Sequence, residues 1–115
     1  MLNTDFERLA GLPLPARALG LECYTESGID TAVLAHFTMP TSDVDSYYPS
    51  LGLSAPLAPG QNPLRHEKAW PPPWWRATAQ GTFRGAEGQV GNRAIKIRVE
   101  EEVHEAQVWL LTFTL

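Results

Sequence analysis

Apolar and polar residues alternate towards both ends of the chain, and the period is lost only in the middle. In "ALGLECYT", Leu19, Leu21 and Cys23 alternate with Gly20, Glu22 and Tyr24, which predicts a strand with one face inward. The turn "ESGID" leads into "TAVLAHFTM", where Val33, Ala35 and Phe37 share one face and Leu34, His36 and Thr38 the other. Together these two runs predict a hairpin. Further on, "ATAQGTFRG" predicts a strand and "AEGQVGN" a glycine-rich turn region. "RAIKIRVEE" predicts a strand with Ile95, Ile97 and Val99 inward and Lys96, Arg98 and Glu100 on a solvated face. "AQVWLLTFTL" is apolar on both sides, Val108 and Leu110 against Trp109, Leu111 and Phe113, so it should be a central strand covered on both faces. The charged turn "EEVHE" joins these last two strands.

Two stretches carry a helical signal. Residues 1–18 read as an amphipathic N-terminal arm, with Phe6 and Leu9 at i and i+3, ended by "GLPLP". In "PTSDVDSYYPSLGL", Thr41 or Ser42 can cap a first turn whose positive end suits Asp43 and Asp45. Val44, Tyr47, Tyr48 and Leu51 then follow the spacing of one buried stripe. Pro49 would break a helix interior at a cost of about 3 kcal/mol, so the pattern predicts a short helix over 41–48 and a separate turn ending at Gly52. Residues 53–75 hold six of the ten prolines and no hydrophobic period, which predicts a long extended loop. The expected fold class is α+β: an antiparallel sheet of about five strands, in the order β-β-α-loop-β-β-β, with one short helix packed on a face.

Composition narrows the function classes. At 115 residues the chain reads as a single domain, long enough to build a core without metal or disulfide staples. Its eleven aromatics argue against disorder. A net charge of −4, with no cluster of Lys or Arg, disfavours a nucleic-acid partner, which would need a basic stripe for phosphates. No apolar run approaches the ~20 residues of a membrane span, and the N-terminal stretch lacks the charged leader and apolar core of a signal peptide. The expected location is cytoplasmic if the chain is complete, and cell-envelope or secreted if a leader has been removed.

No motif supplies chemistry. Cys23, the only cysteine, shares its expected face with Leu19 and Leu21, which predicts a buried inert thiol. His36 lies mid-strand, His66 in the long loop without a partner at metal-ligand spacing, and His104 among glutamates that point in different directions. There is no HExxH and no GxSxG, and the glycines of "GTFRGAEGQVG" precede a strand rather than a helix, as hairpin turns and bulges do. No catalytic residue, metal ligand set or cofactor is expected.

The motif "WPPPWW" at residues 70–75 gathers three of the four tryptophans around three prolines. It has two readings. Trp70, Trp74 and Trp75 could form an exposed binding patch, since Trp is enriched at the energetic centres of interfaces. Alternatively they fold back over the sheet face that the short helix leaves bare, with at least one of Trp74 and Trp75 buried and Trp70 partly exposed.

The segment "GLPLPARALGLECYTESGIDTAVLAHFTMPTSDVDSYYPSLGL" resembles a pattern of small uncharacterised bacterial proteins and lipoproteins. Its elements are a Leu-Pro-x-x-Ala lead-in, a strand, a Gly-x-Asp turn, a strand ending in Phe-x-x-Pro, and a short acidic helix. The resemblance implies a compact α+β domain and no known activity; Pro49 departs from it.

Taken together, the sequence suggests a non-catalytic binding protein, of the protein-interaction, inhibitor or accessory kind. It would cover a basic partner surface with Asp43, Asp45, Glu101, Glu102 and Glu105, anchored by an aromatic from Trp70, Trp74 or Trp75. An alternative is a small-molecule or carbohydrate-binding module using the loop tryptophans. A third is a small enzyme with His36 or His104 as general base. Self-association through an edge strand or the aromatic loop stays open.

Overall fold

The computed structural model describes residues 3–26, 32–61, 63 and 83–114. Within them lie helix α1 (Asn3–Ala10), strands β1 (Leu19–Glu26) and β2 (Ala32–Pro40), and a helical stretch of three successive turns. These turns are a 3-10 turn (Thr41–Asp43), helix α2 (Val44–Tyr47) and a second 3-10 turn (Tyr48–Leu51). Strands β3 (Ala58–Pro59), β4 (Phe83–Val90), β5 (Arg93–Glu101) and β6 (Glu105–Thr114) follow. All form one antiparallel sheet in the order β1-β2-β6-β5-β4-β3. The α+β class stands, with six strands rather than about five; the short β3, inside the stretch expected as a loop, is the addition.

Strand β6 sits centrally, as a run apolar on both sides should. It pairs with β2 from Ala32↔Phe113 to Pro40↔Glu105 and with β5 from Arg93↔Thr114 to Glu101↔Ala106. The last strand thus welds the N-terminal hairpin to the C-terminal meander.

The two faces of the sheet differ in what they bury. On the first, Val33, Ala35, Phe37, Ile95, Ile97, Val108 and Leu110 join Phe6 and Ala10 of α1 and Val44, Tyr47 and Leu51 of the helical stretch in one cluster. Phe6, Phe37 and Leu110 are fully buried, each such side chain contributing about 1.5–3 kcal/mol of hydrophobic stabilisation. On the second face Leu34, Trp109 and Leu111 form a smaller cluster flanked by Ala32 and Phe113.

Four local expectations change. First, the N-terminal arm is a docked helix: Phe6 and Ala10 enter the core, Leu9 is 37% exposed, and Gly11 ends the helix at φ 68°, its N–H bonded to the Glu7 carbonyl at 3.0 Å. Second, the stretch 41–51 tightens into 3-10 turns on either side of α2. Neither Thr41 nor Ser42 caps it through a side chain. Pro49 falls in the first positions of the second 3-10 turn, where no helical N–H is demanded, and Gly52 closes it at φ 82°.

Third, the glycine-rich run 86–92, expected as a turn, is mostly strand: β4 continues to Val90, and the turn is confined to Gly91 and Asn92. The glycines answer to packing instead. A Cβ on Gly85 would collide with the carbonyl oxygen of Gln61, and one on Gly88 would lie 3.0 Å from Leu53 Cδ2. Fourth, the face of β5 expected in solvent is largely covered: Arg98 is fully buried and the Lys96 side chain only 20% exposed.

Candidate functional site

The second face carries a polar row that alternation alone does not reveal. Cross-strand pairing sets Glu22 opposite His36, His36 opposite Trp109, Trp109 opposite Arg98, and Arg98 opposite Gly85. Four strands therefore contribute one line of side chains, Glu22, His36, Trp109 and Arg98, running from the β1 edge to Gly85 of β4. His36 Nδ1 lies 3.1 Å from Glu22 Oε1, and His36 Nε2 lies 3.0 Å from Gln107 Oε1. A carboxylate only accepts, so Nδ1 carries the hydrogen. Gln107 then meets Nε2 through its oxygen if the ring is doubly protonated and through its amide group if the ring is neutral.

The imidazole lies against Trp109, ring centroids 4.9 Å apart. Arg98, buried next in the row, sets its guanidinium 4.7 Å from the Phe83 ring centre and 5.1 Å from that of Trp109. Burial lowers its pKa, and Glu100, 3.6 Å away, acts in the opposite sense. With both nitrogens engaged and one ring face on an indole, His36 is held in place rather than presented to a substrate.

A β-bulge shapes the beginning of β1. Pairing runs Leu19↔Thr38 and then skips to Glu22↔His36, with Gly20 at φ 65°. The extra residue turns Leu19 away from the side of Leu21 and Cys23, which pack on the first-face cluster. Leu19 is left 68% exposed. The expected face shared by Leu19, Leu21 and Cys23 is thus broken at Leu19. Cys23 remains half-buried, and burial pushes its thiol pKa up, as for an inert cysteine.

Leu19 stands on the lip of a groove of about 680 Å³ at this end of the sheet. Its apolar lining comes from Ala16, Ala18, Leu19, Met39 and Pro40, and Arg17, His104 and Glu105 supply charge-bearing groups. Val103, in the adjoining turn, is 85% exposed, the most exposed large apolar residue described. The walls are tied down. Thr41 donates its N–H to the His104 carbonyl at 3.1 Å and its Oγ1 hydrogen to the Glu102 carbonyl at 2.7 Å, and Glu102 N–H reaches the Glu105 carbonyl at 2.9 Å. Arg17 grips Asp43 with Nε and Nη2, both at 2.8 Å, which holds the Asp43 carboxyl below its ordinary pKa.

The predicted acidic residues divide into two groups. Asp43 is committed to Arg17, while Arg84 takes Glu101 at 2.6 Å and Asp45 at 3.0 Å. Glu102 and Glu105 are exposed; Glu105 lines the groove, and Glu102 lies beyond its lining in the adjoining turn. Trp70, Trp74, Trp75 and His66 lie outside the described residues. Sequence reasoning missed Glu22, Gln107, Arg98, Arg17 and Leu19. The only signal for the first three was strand register, which links residues as far apart as Glu22 and Gln107 through His36. Among the described residues no group of three His, Cys, Asp or Glu is placed to hold a metal ion, and no helix is long and apolar enough to cross a membrane.

No family model, curated protein or solved structure matches the chain. Function has to be argued from the groove and the polar row alone.

Proposed function

We propose that the protein is a non-catalytic binding protein whose contact site is the groove between residues 16–19, the end of β2 and the start of β6. The observation that carries this reading is the exposure of Leu19 and Val103 around an apolar groove whose walls are fixed by the paired hydrogen bonds of Thr41. Large apolar side chains held in solvent on a rigid frame favour a partner that covers them. The exposed carboxylates of Glu105 in the groove and Glu102 in the adjoining turn, together with the net charge of −4, favour a partner segment with an apolar anchor beside a basic side chain. Electrostatics of this kind chiefly sets partner choice and association rate, while the anchor supplies most of the affinity.

The test is selection from a random peptide library against the wild-type protein and against Leu19→Asp and Val103→Asp, each checked for folding by circular dichroism. The expected result is a set of peptides sharing an apolar residue next to Lys or Arg, bound at least tenfold more weakly by both variants. Glu102→Gln/Glu105→Gln should weaken binding at about 0.05 M salt and matter little at about 0.5 M, where screening is strong. Selected peptides that bind the Asp variants as well as wild type would remove the groove from consideration.

A further inference from the structure

The two edges of the sheet are guarded unequally. Strand β3 is two residues long and contains Pro59, and both features discourage the addition of another strand. Strand β1 is eight residues long, "LGLECYTE", with no proline, lysine or arginine, and β2 is its only partner among the described residues. After the bulge its register is regular from Glu22↔His36 to Glu26↔Ala32. Glu22, Tyr24 and Thr25 are exposed along it. Its first residue, Leu19, is also the lip of the groove.

We propose that the occupant of the groove is an extended segment of another protein that pairs with β1 as a further strand of the sheet, seating an apolar side chain at Leu19 and basic side chains opposite Glu22. This rests on the groove reading and names the partner's form. Charge selects a foreign strand over a second copy of this chain. Two β1 strands would bring glutamates to a shared edge with no cation between them, whereas lysines on an added strand meet carboxylates. Main-chain hydrogen bonds along β1 would then add to the affinity of the apolar anchor, and the anchor's seat in the groove would fix the register.

The test uses two synthetic heptapeptides, acetyl-Leu-Val-Lys-Val-Lys-Val-Thr-amide and its reversed sequence, one matching each strand direction. Binding to the wild-type protein is measured by isothermal calorimetry. The better binder is then remade twice, N-methylated at odd or at even positions. Only every second N–H of an added strand faces β1, so one methylated form should lose at least tenfold in affinity and the other stay within about twofold of the parent. Equal behaviour of the two forms overturns strand addition but leaves the groove standing if Leu19→Asp still abolishes binding. Failure of both parent peptides to bind overturns the inference, and the library selection then decides the groove separately. A dimer of the protein alone that dissociates on Thr25→Pro or Tyr24→Pro would assign the edge to a second copy and overturn it as well.

Discussion

His36 and Trp109 are cross-strand neighbours whose rings meet at 4.9 Å with their planes 34° apart, and the two nitrogens of the imidazole are taken by Glu22 and Gln107. A ring so engaged ties β1, β2 and β6 together on the second face. His36→Leu keeps much of the volume but strips a partly buried Gln107 of its partner. The expected loss is about 1–3 kcal/mol, the cost of leaving a buried polar group unsatisfied. Trp109→Ala should cost about 3–5 kcal/mol through the cavity it leaves. Urea unfolding with an unchanged m-value measures both, and a His36→Leu protein as stable as wild type would show that the hydrogen bonds of this row contribute nothing net.

Much of the scaffold was legible because it depends on periodicity. The alternation of Val33, Ala35 and Phe37 named the first face of β2, and the apolar doubling around Trp109 placed β6 in the centre. What the sequence hid depends on residues far apart or on backbone detail. Arg98 reads as an outward cation by alternation, yet the structure sandwiches it between Phe83 and Trp109. The bulge at Gly20 reverses Leu19, and a one-residue insertion leaves no trace in a hydrophobic pattern. Gly85 and Gly88 look like turn residues because turns favour glycine, but here they leave room for Gln61 and Leu53 within a strand. The groove was invisible for the same reason, since its walls come from residues 16–19, 38–40 and 104–105.

Gly85 gives a direct check on that packing. Its φ is not in the left-handed region, so alanine is acceptable to the backbone, and any penalty reports the approach of the Gln61 backbone and the Pro63 ring. Gly85→Ala should destabilise by about 1–3 kcal/mol as an overpacked site. Gly20→Ala meets open space but keeps φ 65°, so its cost should be the roughly 1–2 kcal/mol of a left-handed residue. Thermal unfolding of the two variants side by side separates contact from conformation. If Gly85→Ala melts with wild type, Gln61 and Pro63 move aside at no cost.

Thr41 holds the 102–105 turn through a backbone and a side-chain hydrogen bond at once. Thr41→Val retains the shape and the backbone bond while removing the Oγ1 donor, at an expected cost of about 1 kcal/mol. Because the turn carries Val103 and the groove residue His104, affinity for selected peptides should fall further than stability does. Amide exchange across 102–105 should quicken in step. Unchanged exchange would mean that the Thr41 N–H bond fixes the turn by itself.

The Arg17–Asp43 pair makes the wall of the groove sensitive to acid. Its two hydrogen bonds lower the Asp43 pKa, with the charge of Arg17 acting in the same direction and burial against it. The folded value lies below the unfolded one, so the contribution is fully present above about pH 4 and is lost as pH falls through the lowered folded value. In an NMR titration the Asp43 carboxyl should turn below its ordinary 3.8, and in Arg17→Ala it should return towards that value. Peptide affinity should fall in wild type as Asp43 is protonated, whereas Arg17→Ala should bind more weakly throughout and lack that acid step.

Tyr47 marks the alkaline limit. Its ring is 8% exposed and meets Phe37 edge-on, and its hydroxyl donates to the Pro13 carbonyl at 2.8 Å, tying α2 to the segment that leads into β1. Burial pushes the phenol well above its ordinary value of 10, with Glu7 acting in the same direction. The folded state therefore favours the neutral ring, and this contribution is whole below pH 10 and erodes as pH rises from there towards the folded value. Phenolate absorbance should accordingly show one of the three tyrosines appearing late and together with the loss of the circular dichroism signal. Tyr47→Phe removes the late step and costs about 0.5–1.5 kcal/mol at neutral pH, the net worth of its hydrogen bond. A late phenolate step that persists in Tyr47→Phe would assign it to Tyr48, whose pKa burial also raises, and would leave the Pro13 tie without an alkaline signature.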